Sequence, residues 1–160
     1  MICPKCNPGT LNEGYTPLPA TVKELAVSVF VNAFSCDRCD YKTVHGSQMG
    51  EFMRLAADEY RKCLGLLTSI QIRTARDRIM MSQEKFAEYL GVGVASVKRW
   101  ELGQVQDKAM DNLIRLKTDT SAAADNYDRI LELSRRNTDS TAAPLYERAY
   151  GKAGRWSKAS

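Results

Sequence analysis

Five cysteines stand in this 160-residue chain, and four of them are spaced for chemistry. Cys3 and Cys6 form one C-x2-C pair and Cys36 and Cys39 a second, with 29 residues between the pairs. Two residues between cysteines suit a tight turn that aims both thiolates at one point. Two such turns supply four soft ligands in a tetrahedron, the arrangement Zn²⁺ prefers. A closed set of four thiolates leaves no open coordination position, so one structural Zn²⁺ per chain is expected. A pair of disulfides would need an oxidising compartment. Two C-x-x-C copies framing one small module also differ from the single redox motif of thioredoxin-like proteins. A metal would replace the hydrophobic core that a module of about 45 residues is too small to build.

Little else in the chain points to chemistry. His45 is the only histidine, and with four thiolates closing the metal shell it is expected on a surface loop. Nothing around it resembles a nucleophile elbow or a general base. Gly91-Val92-Gly93 is too brief, and in the wrong context, for a phosphate-binding loop. No catalytic residue is expected, and the chain is not expected to be an enzyme. Its 44% hydrophobic and 26% charged residues are those of a globular protein. No apolar run approaches the roughly 18–20 residues that cross a bilayer. The start, Met1-Ile2-Cys3-Pro4-Lys5-Cys6, lacks the apolar core of a secretion signal, so a cytoplasmic protein without a membrane partner is expected. The formal net charge is +4, and the excess gathers in residues 68–117, where nine basic groups outnumber six acidic ones. A surface for DNA concentrates charge in this way.

Elements must position these groups. Pro8-Gly9 and Pro17-Leu18-Pro19 punctuate the stretch between the cysteine pairs as turns. Val27, Val29 and Val31 alternate with Ala26, Ser28, Phe30 and Asn32, which predicts a strand leading into the second pair. Residues 1–46 are therefore expected to form a small β-rich zinc ribbon. From Ser47 the period changes. Phe52, Leu55, Ala56, Tyr60, Cys63, Leu66 and Leu67 follow helical spacing, predicting a helix over 48–64 within a connecting segment 47–67. Cys63, on that stripe, is expected to be a buried small hydrophobe.

Residues 68–117 carry a second pattern. Ile70, Ile72, Ala75, Ile79 and Met80 are helix-like. Ser82 suits an N-cap, with a short helix from Gln83 to Leu90 that Gly91 ends. Gly93 permits a new start, a further helix runs from Val94 to Leu102, and another from Asp107 to Lys117. Two short helices about a glycine turn are the helix-turn-helix plan. Ala87, four residues before Gly91, lets the helices approach, and Val97, six after it, locks the second onto the first. Val97 and Trp100 then point inward, while Val94, Ala95, Ser96, Lys98 and Arg99 lie where a helix end enters the major groove. Arg99 suits guanine O6 and N7 or a phosphate, Lys98 a phosphate, and Val94 and Ala95 a thymine methyl. Gln83 is expected to bond a phosphate or to brace the recognition helix. One such helix reads few base pairs, so a homodimer on a palindromic operator is expected, with the dimer contact around Met110 to Leu116. Asp125 to Arg136 reads as a helix, and residues 137–160 as mobile in isolation.

The two halves together resemble the MqsA antitoxins, whose ribbon is the YgiT-type zinc finger followed by an Xre-type helix-turn-helix. The residues that carry the resemblance begin with Cys3-Pro4-Lys5-Cys6, Cys36-Asp37-Arg38-Cys39, and Tyr60-Arg61-Lys62 with Gly65-Leu66-Leu67. They continue through Ile72-Arg73, Arg76, Ser82-Gln83-Glu84-Lys85-Phe86-Ala87, Leu90-Gly91-Val92-Gly93 and Arg99-Trp100-Glu101-Leu102-Gly103. The resemblance covers residues 1–117. It implies an α+β chain: a zinc ribbon, then an all-α, lambda-repressor-like domain. It also implies a dimeric antitoxin of a type II toxin–antitoxin system. Such a protein neutralises a cognate toxin, commonly an mRNA interferase, through the zinc module, and represses its own operon. Where that family often carries a base-reading asparagine this chain has Ala95, which makes no bidentate contact, so a different operator is implied. Residues 118–160 exceed the shorter members and are assigned to a third component such as a chaperone, or to a second toxin contact. A stand-alone regulator without a toxin would share every motif.

Overall fold

The computed structural model describes residues 1–136. The chain opens with a hairpin, β1 (Leu11–Val22) antiparallel to β2 (Leu25–Cys36), and a short β3 (Lys42–Thr43) pairs with β2 beside the second cysteine pair. The expected alternation of β2 holds: Val27, Val29, Val31 and Ala33 are buried, while Ser28, Phe30 and Asn32 are exposed. β1 corrects the expected turn at Pro17-Leu18-Pro19. The strand runs straight through, pairing Pro17 with Phe30 and Pro19 with Ser28. Two residues apart, the prolines share one side of the strand. Their missing N–H groups therefore fall on the outer margin, where no ladder bond is lost. The reversal uses Lys23-Glu24, with Lys23 at φ 53°.

A single 3-10 turn, Gly46–Gln48, leads into α1 (Met49–Cys63). His45 lies in a loop as expected, and its ring nitrogen caps that turn by accepting from the Ser47 amide. Phe52 and the half-buried Leu55 of α1 pack on Leu18, Val29, Val31, Ala33 and Val44, so the helix completes the ribbon's small core. At its other end the expected burial is reversed. Cys63 is exposed, and Arg61 is fully buried. The last turn of α1 presents a polar face to the helices that follow, so the apolar stripe does not continue through Cys63.

After Gly65, at φ 64°, come α2 (Ser69–Arg78), α3 (Gln83–Leu90), α4 (Val94–Glu101) and α5 (Lys108–Thr118). Three of the four start at a side-chain cap, and α4 starts at Gly93 without one. Thr68, Ser82 and Asp107 accept from amides three residues on, satisfying donors that a helix start leaves open. Ile72, Phe86, Ala87, Leu90, Val97, Trp100 and Ile114 form their common core. Met80, read as part of the helix-like pattern, lies beyond the end of α2 and is 92% exposed. This makes an α+β architecture, a ribbon hairpin with a cysteine cluster followed by a helix-turn-helix bundle, as expected. A separate unit begins at Thr120. Its helix α6 (Thr120–Arg136) starts five residues before the expected Asp125 and exposes Tyr127, Ile130 and Leu133. The tail 137–160, expected to be mobile, lies outside the described residues.

Candidate metal centre and nucleic-acid interface

Two turns bring the four cysteines together. In the first, the Cys3 amide donates to Gly9 O and the Asn7 amide to Cys3 O, with Asn7 at φ 59°. In the second, the Cys36 amide donates to Tyr41 O and the Arg38 amide to Cys36 Sγ. Asp37 joins the turns, accepting from the Thr10 amide at 2.8 Å, and Lys5 pairs with Asp40 across them. The four Sγ atoms lie within 4.8 Å of one another, with Cys3–Cys39 at 3.7 Å and Cys6–Cys36 at 3.6 Å. A tetrahedron with metal–sulfur bonds of about 2.3 Å has edges of about 3.8 Å. The cluster therefore fits one metal ion.

Two further observations support that fit. A Cβ on Gly9 would stand 2.4 Å from Cys36 Sγ and 2.8 Å from Cys6 Sγ, so the cradle admits only glycine. The thiols also resist ionising together. Burial and the neighbouring thiols push Cys6 up to about 12. Cys3 is pushed up by burial, but the amides of Cys6 and Lys5 outweigh this and bring it to about 7. A cation at the centre would relieve that mutual repulsion. Sequence reasoning singled out the four cysteines that the fold brings together but took Gly9 only for a turn residue.

The helix-turn-helix is built as its spacing predicts. Gly91 takes φ 78°, its amide donates to Glu88 O, and the Val92 amide reaches back to Ala87 O at 2.9 Å. Ala87 and Val97 are buried where α3 and α4 touch. On the outer side of α4, Ala95, Lys98 and Arg99 are exposed and Ser96 is half-buried. Val94, expected to face outward, is half-buried and packs on the core. Arg99 Nε donates to Ala95 O, and Lys98 pairs with Glu84 of α3 at 3.4 Å. Gln83 turns inward, its Nε2 donating to Glu101 Oε2 at 2.8 Å.

Buried polar groups that sequence reasoning assigned no role hold this surface in place. Glu101, at the end of α4, accepts from Arg76 Nε at 2.7 Å and Nη2 at 3.2 Å as well as from Gln83. Burial raises its pKa, but Arg76 and Gln83 outweigh that and hold the carboxyl below its usual range. Asp111 of α5 accepts from the Leu67 amide, Gln106 Nε2 and Arg115 Nε. Burial pushes it up too, and Arg115 with those amides brings it below the usual value. Arg61 donates to Asp58 Oδ1 at 2.6 Å, Gln106 Oε1 at 2.9 Å, Trp100 O at 3.1 Å and Gln104 O at 2.7 Å. Burial lowers its pKa, and Asp58 opposes the shift. The sequence placed Arg61, Arg76 and Glu101 in a motif without saying why.

Residues 72–116 match the helix-turn-helix family HTH_3. The matched segment runs from the buried Ile72 of α2 to Leu116 of α5, and so spans the whole bundle around α3 and α4. This supports a DNA-binding transcriptional regulator. No curated protein matches the chain. Among the described residues, no helix is long and apolar enough to cross a membrane.

Proposed function

We propose that the chain is a zinc-holding antitoxin that reads duplex DNA with α4 and represses its own operon. One observation carries the DNA reading. Ala95, Lys98 and Arg99 stand exposed on a helix whose opposite side, Val97 and Trp100, is sealed in the core. That helix is rigidly aimed, which base contacts require. In this reading Arg99 takes guanine or phosphate, Lys98 a phosphate and Ala95 a thymine methyl. Ser96 and the half-buried Val94 lie at the helix start close to the groove. Gln83 acts through Glu101, bracing α4. Cys3, Cys6, Cys36 and Cys39 hold one Zn²⁺, which supplies cross-linking and no open position for a substrate. Two copies bind a palindrome, pairing through α5 near Met110 to Leu116.

The antitoxin role is supported by the pairing of a four-cysteine ribbon and a helix-turn-helix on one short chain. The toxin's place is the ribbon. There Tyr15 and Phe30 stack at 5.8 Å on the solvent face of the hairpin, 71% and 57% exposed. They supply the apolar groups that Val27, Val29 and Val31, being buried, do not. Co-expression with the adjacent reading frame tests the proposal. Rescue of growth and a stable complex are expected, with retardation of the upstream duplex in a salt-controlled gel shift. Retardation without any toxic neighbour would leave a stand-alone regulator, and no retardation would overturn DNA reading.

A further inference from the structure

We propose that Arg61 is the positioning residue that ties α4 to the ribbon, so that base reading depends on a folded ribbon. This rests on the DNA-reading role proposed for α4. Arg61 is wholly buried. Its Nη2 donates to Trp100 O and Gln104 O, in and just beyond the last turn of α4, where carbonyls lack intrahelical amides. Close by, Gly103 takes φ +116°, and a Cβ there would lie 3.1 Å from Arg54 Cα, so the chain leaving α4 presses on the backbone of α1. Asp58 holds the other side of the guanidinium and also accepts from the Ser69 amide at 2.7 Å and hydroxyl at 2.6 Å. One turn of α1 therefore fixes both the start of α2 and the end of α4.

The other half of α1 belongs to the ribbon through Phe52 and Leu55. The core they complete has six buried residues, Phe52 among them, too few to stand without a cross-link at the cysteines. When the ribbon melts, the first half of α1 loses its packing and the Arg61 fork loses its fixed origin. The core of the helix-turn-helix contains no ribbon residue, so it stays folded. Phosphate contacts tolerate a displaced helix, whereas base contacts do not. The consequence is lost discrimination with general DNA affinity retained.

The test uses the full chain at one fixed salt concentration. Affinity is measured for the duplex upstream of its own gene and for a random duplex of equal length, and their ratio is the readout. Arg61→Lys keeps the charge but loses the fork, and chelation removes the metal. Each is expected to lower the ratio by about tenfold, with random-duplex affinity and far-ultraviolet helicity unchanged. Chelating the Arg61→Lys protein should lower the ratio no further, since both act on one link. Amide exchange at Leu102, Gly103 and Gln104 should quicken in both cases. Lower melting with an unchanged ratio in Arg61→Lys would reduce the residue to a structural one and overturn the proposal, as would losses that add. If Arg61→Lys does not fold, Gly103→Ala, which crowds Arg54 and leaves the guanidinium intact, carries the same expectation. Failure of the DNA-reading role has a different signature, a ratio near one in the untreated wild type, and it would overturn both.

Discussion

At Gly9 the cysteine cradle has no room for a methyl group, with Cys36 Sγ 2.4 Å from where it would sit. Gly9→Ala should therefore weaken metal binding by about 10–100-fold, the range for groups that support a metal's ligands. Competition with a chromophoric chelator measures this, and wild-type affinity would contradict it. Acid sensitivity also belongs to single residues. Glu101 and Asp111 are held below the ordinary carboxylate range in the folded chain. Their stabilisation is present above the unfolded values, about 4.3 and 3.9, and is lost as pH falls through the depressed folded ones. Melting temperature should drop from about pH 5 downwards, and Asp111→Asn should flatten that slope at the cost of lower stability at neutral pH. A slope unchanged by the substitution would remove Asp111 from the explanation. Residue-level burial was the least legible part of the sequence. Apolar spacing put Cys63 inside and ignored Arg61, because periodicity carries no information about which cation finds four acceptors. Only the partners, Asp58, Gln106 and two carbonyls from 39 and 43 residues away, make that burial stable.

Among the elements, α3 and α4 were legible almost to the residue. Their signals are local: a serine cap, a small residue at Ala87 and a glycine that must take positive φ. A Cβ at Gly91 would meet nothing within 4 Å, so Gly91→Ala isolates the backbone term. It should cost about 1 kcal/mol, read from denaturant unfolding, and no loss would mean that the turn relaxes. On the outer face of α4, Arg99→Ala should cost about 1–3 kcal/mol of operator binding. Lys98→Ala should instead weaken binding to all sequences and reduce the salt slope by about one. Operator affinity that survives Arg99→Ala in a salt-controlled titration would remove that residue from readout. β1 was not legible, because its two prolines look like punctuation until the pairing with β2 shows that their donors were never needed. The early start of α6 was missed for a related reason. Ala122, Ala123 and Ala124 favour a helix without any apolar stripe to announce it.

For the molecule as a whole, a ribbon closed by the proposed metal and a bundle with its own core predict graded unfolding. Chelation should expose the hairpin to proteolysis while the helical signal near 222 nm persists. Collapse of both together would mean that the bundle core does not suffice. The broad order of parts, ribbon, linking helix, helix-turn-helix and a last helix, could be read from cysteine spacing and changes of period. That α1 belongs to both neighbours could not, since its two halves bury different chemistry against different partners.

The prolines of β1 reach beyond fold recognition. An open strand margin is a template on which other chains can stack, and stacking of that kind seeds fibrils. With Pro17 and Pro19 interrupting its row of donors, this margin offers an incoming strand too few amides to zip along. The hairpin thus carries its exposed aromatic pair beside a margin that is poorly suited to stacking copies of itself.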